Sequence, residues 1–151
     1  MRPAAMSKRA EALTIRPGRL KEREVLEALQ RRASLALPEY RAQLEANPDA
    51  IHLPPAQLAN GQVLVAELAG RIAGFAAIVG GELDALFVEP ELWRQGIGSA
   101  LADAATHQAR RRGFTLAVIA SPSARAFYES CGFAIEGEAQ TRFGPALRMS
   151  R

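Results

Sequence analysis

The chain has 151 residues, 48% hydrophobic and 23% charged, with 19 Lys and Arg against 16 Asp and Glu. That length and balance fit one globular domain with a proper core and exclude a disordered chain. One cysteine excludes an internal disulfide, two histidines are too few for a structural zinc site, and no run of about eighteen apolar residues marks a membrane span.

The lone cysteine and the absence of an apolar signal-like segment at the start fit a reducing, cytoplasmic setting. A net charge of +3 suits nucleic acid or a phosphorylated small molecule equally. No helix-turn-helix, zinc-finger or stacking-aromatic pattern accompanies it, so a nucleic-acid partner is not expected.

Residues 1–11 are polar, basic and alanine-rich and are expected to form a flexible leader before a single domain over 12–151. "ALTIR" reads as a short strand closed by Pro17-Gly18. From Arg19 to Leu37, Val25, Leu26, Leu29 and Ala33 recur at helical spacing. Pro38 fits the first turn of a second helix, "PEYRAQLEA", which Asn47-Pro48 ends. "DAIHLPPAQLANG" is proline-rich and reads as a loop with a short helical turn. "GQVLVAEL", "RIAGFAAIV" and "ELDALFV" are strand-like runs joined by Ala69-Gly70 and Gly80-Gly81, which predicts an antiparallel meander. A helix from about Gly98 to Arg112 and the apolar strand "FTLAVIA" then complete a parallel βαβ unit. A last helix, "SARAFYES", and two strands, "FAIEGE" and "PALRMS", close the chain. The expected class is α/β: a mixed sheet, antiparallel meander plus parallel βαβ unit, with helices on both faces.

"LFVEPELWRQGIGSAL" sets Gly96 and Gly98 where a strand hands over to a helix. The first N–H groups of a helix lack partners within it and sit at the positive end of its dipole. Glycines there let a phosphate approach closely. The P-loop pattern fails because no lysine comes after the glycines, and the dinucleotide fingerprint fails because Leu101 stands at its third glycine.

This stretch and the later "SPSARAFYESCGF", in this order and on these elements, resemble the GNAT superfamily of N-acetyltransferases. The likeness runs from about Leu13 to the C-terminus. It implies that Arg94, Gln95, Gly96, Ile97, Gly98, Ser99 and Ala100 hold the pyrophosphate of acetyl-CoA, that Phe87 and Val88 meet the thioester and pantetheine, and that Ser121 and Tyr128 contact the cofactor. Two positions depart from the family pattern: Trp93 replaces its Gln or Arg, leaving the charge to Arg94, and Ser121 replaces a common Asn.

The resemblance also implies direct attack of a primary amine on the acetyl thioester. Such an amine, with a pKa of about 10.4, is only about one part in a thousand neutral at pH 7.4, so its proton needs an acceptor. The leaving thiolate, with a pKa of about 8.5, gains from an acid. Tyr128 occupies the family's tyrosine position and is the expected acid, while Phe127 reads as core. By period-two alternation Glu82, Asp84, Leu86 and Val88 share one strand face. Several family members carry a glutamate at the position of Glu82 and many relay the proton through water, so the resemblance implies Glu82, its same-face neighbour Asp84 or a water relay as the base. Cys131, with no histidine near it in sequence, reads as an inert thiol. His107 reads as solvent-facing and Arg110–Arg112 as cations at a helix C-terminus.

For the acceptor, the family's use of the first helices and last hairpin nominates Ser34, Tyr40, His52, Arg142 and Phe143. No metal is implied, and a homodimer is compatible with the fold. The expected partners are acetyl-CoA and an unidentified amine of a small molecule, peptide or protein. The alternatives are a non-catalytic acyl-CoA-binding domain, which retention of Tyr128 and the acids argues against, and a nucleic-acid module suggested by charge alone.

Overall fold

The computed structural model describes residues 13–151; the expected leader lies outside them. Seven strands form one sheet in the order β1-β2-β3-β4-β5-β7-β6: β1 Leu13–Pro17, β2 Val63–Leu68, β3 Arg71–Val79, β4 Glu82–Val88, β5 Ala117–Ala120, β6 Ala134–Thr141 and β7 Gly144–Ser150. Every neighbouring pair is antiparallel except β4 and β5. The helices are α1 Arg23–Leu35, α2 Pro38–Ala46, α3 Pro55–Ala59, α4 Ile97–Arg111 and α5 Arg125–Ser130. This is the expected architecture. The terminal strand β7 inserts between β5 and β6, so the last hairpin extends the sheet beyond the parallel pair.

Each sheet face has its own core. On one, Leu101, Ala102, Ala105 and Ala109 of α4 pack with Ala66, Ala76, Ile78 and Val118. Their spacing of three and four places them on one helical stripe. On the other, Leu26 and Leu29 of α1 pack with Phe75, Val65 and Leu58. Phe75 is fully buried and stacks obliquely on Phe87, with centroids 5.8 Å apart.

Ion pairs tie α1 to the sheet. Arg16 on β1 donates to both carboxylate oxygens of Glu22 at 3.0 and 2.7 Å and, through Nε, to Glu67 on β2 at 2.9 Å. These hydrogen bonds hold the Glu22 carboxyl below its ordinary range against the opposing effect of burial. Farther along, Arg32 of α1 clasps the buried Glu89, just past β4, through two bonds of 3.0 and 2.6 Å.

Two features of β4 open the sheet and set which side chains face the opening. The strand pairs with β5 only at Glu82–Ala117 and Leu83–Val118, after which the two part. It also carries a bulge. Ala85 pairs with Ala77 but Leu83 with Ile78, so Asp84 is an extra residue opposite no partner.

The bulge corrects the expected alternation. Leu86 and Val88 pack toward α4, and so does Leu83, whereas Ala85 and Phe87 pack toward α1. Glu82, Asp84, Leu86 and Val88 therefore do not share one face. No helix among the described residues is long and apolar enough to cross a membrane.

Candidate active site

Where β4 and β5 part, a cavity of about 770 Å³ opens through the sheet, lined by residues of both faces. One end lies at the start of α4, the other under α1, α2 and the tip of the β6–β7 hairpin.

The α4 end is built by the loop after β4. The indole N–H of Trp93 donates to the Val88 carbonyl at 2.8 Å and folds the loop back on its strand. Arg94 and Gly96 take left-handed backbone conformations, φ 66° and 83°. Gly96 is the N-cap of α4, and no side chain caps it. The first helical bond runs from the Ala100 N–H to the Gly96 carbonyl at 3.0 Å, which leaves the N–H groups of Ile97, Gly98 and Ser99 without acceptors in the helix. Arg94 is exposed and forms no ion pair among the described residues.

The two glycines thus have separate reasons. Gly96 supplies the turn: a side chain there would meet nothing within 4 Å but would have to adopt φ +83°. Gly98 supplies space. A Cβ on it would lie 3.1 Å from Cε1 and Cζ of Phe127. Phe127, expected in the core, is half-buried and lines the cavity.

Tyr128 sits between the two ends. Its ring is buried between Phe127 and Phe133 in edge-on contacts, with centroids 5.0 and 5.3 Å apart. It lines the cavity, and its hydroxyl makes no hydrogen bond among the described residues. Burial, then proximity to Cys131, pushes its phenol above the ordinary value, so the group carries its proton throughout the neutral range.

Phe87, Val88, Arg94, Ile97, Gly98, Ser121 and Tyr128 all line the cavity, as do Ser34, Tyr40, Asp84 and Phe143. Gln95, Gly96, Ser99 and Ala100 belong to the loop and helix end beside it rather than to its wall. Three expected residues are placed elsewhere. Glu82 lies outside the cavity, 3.6 Å from Arg148 of β7. His52 also lies outside, its Nδ1 3.2 Å from Nη2 of Arg23. Arg142 turns to the segment after α2 and donates to Asn47 and Asp49, at 3.0 Å each, with its guanidinium 5.2 Å above the Phe143 ring. That hydrogen bond holds the Asp49 carboxyl below its ordinary range. Cys131 lies with its Sγ 3.7 Å from the Ser99 Oγ, and His107 is exposed as expected.

The sequence reading missed the Trp93 tether, the Arg32–Glu89 clasp and the cavity-lining Gln43. For Trp93 the signal was present as a departure from a motif; for the others only the fold brings the partners together.

The model of the acetyltransferase (GNAT) domain matches residues 59–135, just over half of the chain and the part that carries β2 to the start of β6. The chain belongs to the GNAT acetyltransferase family. As a member it is an acyltransferase. Among solved structures, YjaB from Escherichia coli, determined in its apo form, is 26% identical, with 91% of this chain and 96% of that one covered at a TM-score of 0.69. A GCN5-related N-acetyltransferase from Rhodopseudomonas palustris is 25% identical, covers 91% and 94%, and reaches a TM-score of 0.74. The PaiA N-acetyltransferase from Thermoplasma acidophilum, solved with coenzyme A, shares the fold at 19% identity, with 92% and 98% covered and a TM-score of 0.71. No curated protein sequence matches the chain. In this GNAT acetyltransferase the slit between β4 and β5, the start of α4 and Tyr128 border one continuous cavity.

Proposed function

We propose that the enzyme transfers acetyl from acetyl-CoA to a primary amine, with the thioester lying in the slit between β4 and β5. The observation that carries this is the Tyr128 hydroxyl, protonated and without a protein partner, in a cavity that joins an uncapped helix N-terminus to an open acceptor end.

The free N–H groups of Ile97, Gly98 and Ser99 and the Arg94 guanidinium fit a pyrophosphate. The β4 backbone from Ala85 to Val88 is unpaired on its β5 side, and an N–H there serves as donor to the developing oxyanion. Asp84, or a water it holds, takes the amine proton; Glu82 lies too far outside the cavity to compete for it. The amine nitrogen bonds to the carbonyl carbon, its second proton passes to solvent water as the carbon–sulfur bond breaks, and Tyr128 gives its proton to the departing sulfur. The products are an acetamide and free CoA thiol, and Tyr128 recovers its proton from water. No residue is acylated, in keeping with Cys131 lying against Ser99 outside the cavity wall.

Calorimetric titration with acetyl-CoA tests the reading, beside a Gly96→Val variant whose fold is checked by its thermal melt. Saturable binding by the native protein, weakened in a folded variant, supports the site at this loop. No binding by the native protein overturns it.

A further inference from the structure

Among the described residues two charges line the cavity: Arg94 in the loop before α4, and Asp84 at the bulge of β4 beside α3. The rest of the acceptor end is largely apolar, formed by Ala33, Leu37, Leu44, Ile51 and Phe143. Its neutral polar side chains, Gln30, Ser34, Tyr40 and Gln43, can donate or accept, and its one charge is a carboxylate. The Asp84 carboxylate has one contact, from Nε2 of Gln57 at 3.3 Å. The Gln43 Oε1 is buried in the same wall with no hydrogen-bond partner among the described residues. The adjoining hollow of about 490 Å³, which shares Tyr40, Gln43 and Phe143, adds one more carboxylate, Glu39, and no cation.

The arginines in reach are already committed. Arg142 is bound to Asn47 and Asp49, and Arg32 to Glu89. The Arg142 clasp also joins the hairpin tip to the segment after α2, and Phe143 and Ala50 beside it both line the cavity. The clasp therefore ties together two stretches of the wall, and an extended chain leaving between them would meet it.

Resting on the acetyl-transfer reading above, the geometry points to the acceptor class: a small primary amine with an apolar body and no carboxylate. Its ammonium is drawn to Asp84, its body fills the apolar wall, and no cation lines that end to compensate a negative charge. An amino acid fails through its carboxylate, a polyamine through its lack of an apolar body, and a peptide through the clasp.

The test measures thiol release from saturating acetyl-CoA with 2-phenylethylamine, phenylalanine, spermidine and a hexapeptide with an apolar first residue, while acetyl-CoA binding is followed separately by calorimetry. The expected kcat/KM for 2-phenylethylamine exceeds each of the others by about ten-fold or more. An Arg142→Ala variant, which opens the clasp, gains on the peptide relative to the amine. Turnover of phenylalanine, spermidine or the peptide equal to or above that of 2-phenylethylamine overturns the assignment, as does no turnover of the amine while acetyl-CoA binds. Loss of acetyl-CoA binding itself overturns the acetyl-transfer reading, and the acceptor class with it.

Discussion

The Phe127 ring occupies the space that a side chain at Gly98 would need, with two ring carbons 3.1 Å from the site of its Cβ. The helix end that faces the cavity is thus packed directly against α5, the helix that carries Tyr128. A change at Gly98 is passed to the site by displacement of a half-buried ring. A change at Gly96 acts on the backbone alone.

These two glycines give the first prediction. Gly96→Ala loses about 1–2 kcal/mol of stability, because alanine must hold the left-handed conformation. In Gly98→Ala the helical gain of about 1 kcal/mol offsets the strain against Phe127, so stability changes little. Its acetyl-CoA affinity falls instead. Paired melts and titrations of the two variants check this, and a Gly98→Ala protein with native affinity would show that Phe127 does not shape the site.

Tyr128→Phe separates chemistry from packing. The hydroxyl has no partner to lose, so the melting temperature stays close to native while kcat drops by about 10²- to 10⁴-fold with acetyl-CoA binding preserved. Since burial keeps the phenol protonated, the native pH–rate profile shows no falling limb from this group between about pH 6 and 9. Full activity of the variant would remove Tyr128 from the reaction.

Much of this was readable in the chain. Apolar strand-like runs located the strands, helical spacing located α1, and proline and glycine boundaries located α2, α4 and α5, while the glycine stretch and "ARAFYESCGF" marked both sides of the slit. What was not readable depends on register and on distant contacts. One extra residue, Asp84, breaks the alternation of β4 and carries Glu82 away from the cavity, and nothing in "ELDALFV" announces a bulge. Arg32 and Glu89 are 57 positions apart, Arg142 and Asp49 are 93 apart, and each pair meets only because the sheet brings it together. Arg142 was nominated for the acceptor because the family's last hairpin helps to shape that site. Here it is held by the neighbouring segment.

The same bulge separates the two candidate bases. Asp84→Asn lowers kcat/KM for an amine acceptor by at least about ten-fold. Glu82→Gln, which breaks a half-exposed contact with Arg148, changes the rate by less than about two-fold. Steady-state rates of the two variants, measured beside the native enzyme at the same pH, distinguish them. A large loss in Glu82→Gln with Asp84→Asn unaffected would reverse the assignment.

The last prediction concerns acid stability. Glu22 is nearly enclosed, with its side chain 11% exposed, and Arg16 holds its carboxyl below the ordinary value, chiefly through the side-chain hydrogen bond. A carboxylate depressed in the folded state binds protons more readily when the chain unfolds. Its contribution is therefore fully present above the unfolded value of about 4.3 and is lost as pH falls through the folded value. At neutral pH, Glu22→Gln is destabilised by about 1–2 kcal/mol, since charge-assisted hydrogen bonds from Arg16 to a mostly buried group are replaced by weaker ones. Below about pH 4.3 the native protein loses the same advantage, and the melting temperatures of the two proteins converge. Melts at steps from pH 7 to about 3 read the gap directly. A gap that stays constant to the acid end would mean that the charge on Glu22 contributes nothing, and that its packing alone joins α1 to β1.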